Sequence, residues 1–219
     1  MYYSTSADID QTYRADPPVI KTGYPEAFAK ELAIAKPGSV IGFYQNPDPY
    51  DPRLSESEPM RAALAILVEK RLGVFIETAS DLILRDLPSL KELQKQASVM
   101  IAVPIGFTND IIQSRLEPLE ANLANKLKTV QKLAAEGLPV GVILKPLIPF
   151  VNDTEANIGE IIAKAKQAGA RFIYPSFGIV LADDQRQAFM NLIARELPGL
   201  RNIFMRSEEH TSELQSPNT

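Results

Sequence analysis

The chain has no cysteine, no tryptophan and a single histidine in 219 residues. Without cysteine it holds no disulfide, no thiolate nucleophile, and no zinc site or iron-sulfur cluster built on its own sulfur. The histidine, His210, stands in RSEEHTSELQSPNT, Arg206 to Thr219. That stretch resembles the conceptual translation of a sequencing adapter, and 206–219 is expected to be an artefactual, unstructured tail. General acid-base work in 1–205 therefore falls to carboxylates, lysine or tyrosine. A strong charge of either sign is also lacking, with 27 Asp plus Glu against 23 Lys plus Arg. This balance gives no support for a broad nucleic-acid footprint or an anionic-membrane surface. No run reaches the roughly 18 apolar residues of a membrane span, and no charged-then-apolar leader opens the chain, so a soluble cytoplasmic protein is expected. Repeats, low-complexity tracts and linkers are absent, and residues 1–205 are expected to form one domain.

What is present is an alternation of short apolar runs with longer stretches of helical periodicity. The runs SVIGFY (39–44), GVFIET (73–78), SVMIAV (98–103), VGVILK (140–145) and RFIYPS (171–176) are continuously apolar. That is the pattern of parallel strands covered on both faces. Between them, Leu119, Leu123, Leu127, Val130 and Leu133 make one stripe of a helix over 119–136, stopped by Gly137. A second helix is expected over 153–168, with Asn152 or Asp153 as N-cap, Asn152 and Glu155 at capping-box spacing, and Gly169 at its end. Others are expected over 57–71, 88–97 and 183–196, while 1–24 holds no convincing element. Such βα units either close as part of a barrel or lie open as a doubly wound sheet. The pattern leaves both possible, although the glycine-rich fingerprint that would favour the open sheet is absent. In either case functional groups belong at the carboxyl ends of the strands.

Those ends carry the unusual residues. After the first strand, NPDPYDP (46–52) uses three prolines to fix a turn that holds Asp48, Tyr50 and Asp51, either as a preorganised polar cluster or as a stiff surface loop. After the second, ETASDLILRD brings Glu77, Thr78 and Ser80 to the rim, followed by Arg85 and Asp86, whose simplest role is a local ion pair or helix cap. After the third, AVPIGFTNDIIQSRLEP offers Thr108 as an N-cap, then Arg115 and Glu117, which on spacing alone read as a surface salt bridge. After the fourth, KPLIPFVNDTE removes two backbone donors at Pro146 and Pro149, and Lys145 is either a cation for a carboxylate or a snorkelling rim residue. YPSFG, after the fifth, supplies Tyr174, Ser176 and Gly178. No metal-ligand spacing, P-loop or Ser-His-Asp set occurs. Residues alone thus give a βα protein with a proline-rich rim, and a carboxylate-dependent hydrolase or lyase using Asp48, Glu77 or Glu117 is one reading of it.

Four of these segments, taken together, resemble radical SAM proteins of the spore-photoproduct-lyase type. GFYQNPDPYDP is similar to the family's G-x-x-x-D-P-Y-x-P turn, and ETASDLILRDLPSLKEL to its T-K-S-x-x-I-x-R-D-x-x-x-L segment. RLEP at 115–118 resembles its E-P motif, and PVGVILKPLIPFVNDTE its G-I-P-V-x-V-x-x-x-P-I-I-P-x-x-N-D-x-E segment. Order and spacing are kept from about Val19 to about Phe177. The resemblance implies a partial (β/α) barrel whose first strand is missing from this chain. It also implies a lyase-like activity in intact relatives, where a CxxxCxxC loop holds a [4Fe-4S] cluster and S-adenosylmethionine is cleaved reductively to a 5′-deoxyadenosyl radical. By the same resemblance, Asp48, Tyr50, Thr78, Ser80, Glu117, Pro146 and Asn152 are the cofactor-binding candidates, and Asp48, Thr78, Ala102 and Pro146 are expected to line one cavity. S-adenosylmethionine is the implied small-molecule partner, and a nucleic-acid substrate is possible by family.

The chain departs from this pattern at the cofactor. Tyr3 falls at the third cysteine position, Ala79 replaces the lysine of T-K-S, and Ala102 replaces a serine after the third strand. The glutamate expected after the D-P-Y-x-P turn is displaced, with Leu54 there and Glu56 or Glu58 nearby. Substitutions scattered along the chain that converge on one cofactor point to a relative that keeps the barrel and has lost the cluster.

Overall fold

All five apolar runs form strands: β1 Val40–Phe43, β2 Gly73–Glu77, β3 Val99–Pro104, β4 Val140–Leu147 and β5 Ile173–Phe177. They make one sheet in the order β1-β2-β3-β4-β5, every neighbouring pair parallel. A doubly wound sheet would reverse its strand order at a switch point. This one never reverses, so the chain winds in a single direction, as a partial barrel does. The computed structural model describes residues 24–44, 48–54, 59–118, 120–177, 183–200 and 202–204. Tyr2, Tyr3, Glu56, Glu58, Leu119, Gly178 and the tail 206–219 lie outside them.

The helices are α1 Tyr24–Glu31, α2 Pro59–Lys70, α3 Leu87–Gln94, α4 Asp110–Leu116, α5 Leu123–Ala135, α6 Glu155–Gln167 and α7 Asp183–Glu196, with a 3-10 segment Asp81–Asp86 leading into α3. The backbone gathers into two compact units, Met1–Ile179 and Val180–Thr219. The second contains α7, where the Phe189 and Phe204 rings meet edge to face with centroids 5.9 Å apart.

In the first unit, alternate strand residues divide between the two faces of the sheet. Val74, Ile76, Val99, Ile101, Val103, Val140, Val142 and Leu144 join Leu64, Leu67, Leu90, Leu93, Val130, Leu133 and Ile161 in a single buried cluster beneath the helices. The other face carries Gly42, Phe75 and Met100 in one register row, then Glu77, Ala102 and Gly141 in the next. Its glycines are filled by rings from neighbouring positions. A Cβ at Gly42 would stand 2.7 Å from the Tyr44 ring, and one at Gly141 would stand 2.5 Å from the Phe172 ring.

Helix starts differ from the expected ones. Helix α6 is capped by Thr154, whose hydroxyl accepts from the Asn157 N–H, so neither Asn152 nor Asp153 is its N-cap. Asp153 accepts instead from the Phe150 N–H. Asn109 caps α4 by accepting from the Ile111 and Ile112 N–H groups, a role expected of Thr108. Helix α5 is capped by Asn122 and begins at Leu123.

Candidate functional site at the carboxyl ends of the strands

Asp48, after β1, reaches across to the exit of β2. Its carboxylate accepts from the Thr78 hydroxyl at 2.6 Å, from the Ala79 N–H at 2.8 Å and from the Tyr50 N–H at 2.8 Å. Burial pushes the Asp48 carboxyl up to about 6, against the pull of these three donors. Thr78 is fully buried; its Oγ1 accepts from the Ser80 N–H, and its own N–H donates to Ala102 O on β3. Ser80 in turn caps the 3-10 segment by accepting from the Leu82 N–H. Asp48, Thr78 and Ser80 thus fasten the first two strand exits to one another. Asp51 pairs with Arg53 at 2.6 Å within the same turn.

The exits of β3 and β4 are fastened by two asparagines. Asn152 is buried, its Oδ1 accepting from the Ile148 N–H at 2.6 Å and its Nδ2 donating at 2.8 Å to both Gly106 O and Pro146 O. Asn157, in the first turn of α6, donates to Gly106 O and Asn152 O, while its Oδ1 accepts from the backbone N–H and the hydroxyl of Thr108. Pro146 follows a cis peptide bond, and a side chain at Gly106 would collide with Pro146 O. Glycine is required there by this close approach.

Charged groups fill the space these fastenings leave. Glu77 at the end of β2, only 4% exposed, pairs with Lys145 of β4 at 2.9 Å. Lys126 in the first turn of α5, 2% exposed, pairs with Glu120 at 2.9 Å. Glu117 turns toward the Lys126 and Lys145 charges rather than making the surface pair with Arg115 that its spacing suggests. Burial pushes its carboxyl up to about 7; Lys126 and Lys145 pull the other way and Glu120 adds to the rise. Glu117 Oε2 is buried and has no hydrogen-bond partner. Tyr50 is buried with its hydroxyl toward Asp86, pushed up by burial and then by the Asp86 carboxylate. Asp86 itself pairs with Arg61 at 3.3 Å, 25 residues away, while Arg85 Nε donates to Leu82 O.

Of the residues singled out in the sequence, Asp48, Thr78 and Ser80 form one bonded group, and Pro146 and Asn152 another. The Glu77–Lys145 pair bridges the two strands that carry them. Lys126, Glu120 and Asn157 are the residues sequence reasoning passed over. Lys126 looks like an ordinary surface lysine on its helix, and only the placement of α5 buries it.

A variant of spore photoproduct lyase with a cysteine changed to alanine, holding dinucleoside spore photoproduct, superposes with a TM-score of 0.58 at 12% identity over 82% of this chain and 52% of that one. A tyrosine-to-phenylalanine variant of the same enzyme gives 0.59 at 11% over the same shares. The fold is similar to that of spore photoproduct lyase. Uncharacterized proteins of Mycobacterium tuberculosis and Mycobacterium bovis are 25% identical over 185 residues, which is 83% of this chain and 54% of theirs. An uncharacterized protein of Methanocaldococcus jannaschii is 28% identical over 93 residues, 42% of this chain and 35% of its own. The chain therefore spans about half the length of the mycobacterial relatives it matches. No family model matches it.

The cofactor implied by that fold can be tested on the donor set. Iron-sulfur clusters of this class are held by thiolates. The strand exits here present carboxylates, lysine and asparagine, and none of the 219 residues is a cysteine. Among the described residues, no group of three or more histidines or carboxylates could hold a metal ion either. The residues present do not fit the cluster. No described helix is long and apolar enough to cross a membrane.

Proposed function

We propose that this chain is a barrel of the radical SAM superfamily whose mouth binds a small molecule without a cluster. One observation carries the reading. Asp48, Glu77 and Lys145 come from the exits of β1, β2 and β4, Glu117 from the end of α4 after β3, and Glu117 Oε2 is buried there without a hydrogen-bond partner. Burying an unpaired carboxyl costs stability and is retained where a ligand supplies the missing partner. Asp48, Thr78, Ser80, Pro146 and Asn152 serve in this reading as the frame that fixes the mouth, with Glu117 turned to the ligand, Lys145 held beside it by Glu77 and Tyr50 behind them.

The test is a pair of measurements on the purified chain. Anaerobic incubation with iron and sulfide is expected to leave no stable visible chromophore and no reducible iron. Titration with a small-molecule library, read by thermal shift, is expected to yield ligands whose effect is lost on Glu117→Ala. Reconstitution of a stoichiometric, reducible cluster would overturn the proposal. The lyase reading is favoured by the four segments in register with that family. It needs thiolates this chain does not have.

A further inference from the structure

We propose that Glu117 is the anchor for the alkylammonium group of a small organic cation carrying an apolar body. The inference rests on the small-molecule reading of the mouth and names the class of ligand. Three observations from different parts of the fold converge on it.

The first is the orphaned acceptor. Glu117 Oε2 is buried with no donor, although two lysines stand nearby, because Lys126 is committed to Glu120 and Lys145 to Glu77. A buried carboxylate oxygen without a donor has lost its water and gained nothing in exchange, so an incoming N–H donor supplies it with a charge-assisted bond.

The second is the local charge balance. The charged groups that act on one another at this end are Asp48, Glu77, Asp86, Glu117 and Glu120 against Arg61, Arg85, Lys126 and Lys145. Acid exceeds base, so the site attracts a cation and repels an anion.

The third is the surface beneath. Phe75 lies two residues before Glu77, on the same face of β2, and pairs in register with Met100, which is 45% exposed. The Tyr44 ring lies against Phe75 with centroids 5.7 Å apart, and Tyr44 is itself 52% exposed. An aryl body placed there covers the exposed parts of Met100 and Tyr44.

Phenethylammonium is the probe. Calorimetric titration of the full chain is expected to show saturable binding at pH 8 that weakens as pH falls through about 7, where Glu117 takes up a proton among Lys126, Lys145 and Glu120. Glu117→Gln is expected to lower affinity about tenfold or more, the size of a lost charge-assisted bond, and to flatten the pH dependence. Glu160→Gln, on the exposed face of α6 where Glu160 pairs with Lys164, is expected to leave it unchanged. A thermal melt of each variant establishes that it is folded. Equal affinity in Glu117→Gln, or tighter binding of phenylacetate than of the amine, would overturn the assignment while leaving a binding mouth intact. Failure of the amine, phenylacetate and phenethyl alcohol alike would overturn both readings together.

Discussion

Replacing Asn152 by alanine tests whether this residue is a brace or a helix cap. Its side chain makes three hydrogen bonds, one accepted from Ile148 N–H and two donated to Gly106 O and Pro146 O, in a position only 2% exposed. Each bond contributes about 1 kcal/mol net, and stranding the buried Ile148 N–H adds a further 1–3 kcal/mol or so. Gly106 O keeps Asn157 as a donor, which trims the loss. The expected cost is about 3–4 kcal/mol, or roughly 10 °C in Tm for a domain of this size. Denaturation in urea should show the midpoint falling with the slope unchanged. Thr154→Ala is the comparison, because it removes a single capping bond worth about 1 kcal/mol. If Asn152→Ala cost no more than Thr154→Ala, the brace would be refuted and the cap restored.

Three further outcomes are expected. Gly106→Ala forces a methyl against Pro146 O, where backbone must move, and should cost about 2 kcal/mol by urea denaturation. Glu117→Gln should change stability in a pH-dependent way. Because the folded-state value is raised from 4.5 to about 7, the wild type keeps this contribution below about 4.5 and loses it as pH rises through about 7. The variant should therefore match the wild type near pH 4 and exceed it by roughly 3 kcal/mol at pH 8, as read by denaturation at the two pH values. Lys126→Met should destabilise by about 2–3 kcal/mol because it leaves Glu120 facing a buried apolar group, and Lys126→Met with Glu120→Gln should recover most of the loss in a double-mutant cycle.

The strands were legible because their signal is local. VGVIL, for example, is apolar throughout since β4 is paired on both edges and packed beneath helices, and no distant contact is needed to see that. The choice between a barrel and an open sheet was not legible in the apolar pattern, because strand order is a property of crossovers rather than of any segment, and the expectation of a partial barrel came from the four motif segments instead. The cap of α6 misled for a related reason. Asn152, Asp153 and Thr154 are all capping types in succession, and Asn152 is drawn away by two carbonyls, one of them 46 residues distant. The Glu77–Lys145 pair spans 68 residues and the Asp86–Arg61 pair 25, so both follow from register and packing alone. Glu117 was noted as a motif residue, yet its inward turn depends on Lys126, which no local pattern marks as buried.

The paired asparagines have an implication for how such a protein diversifies. Because Asn152 and Asn157 grip mainly main-chain groups, the grip asks little of its neighbours beyond the glycine at 106 and the Thr108 hydroxyl. Stretches the clasp does not touch, such as 110–118, are open to being lengthened, shortened or rewritten while the clasped residues stay put. A lineage holding this clasp could exchange its ligand repertoire in successive generations without refolding the platform underneath.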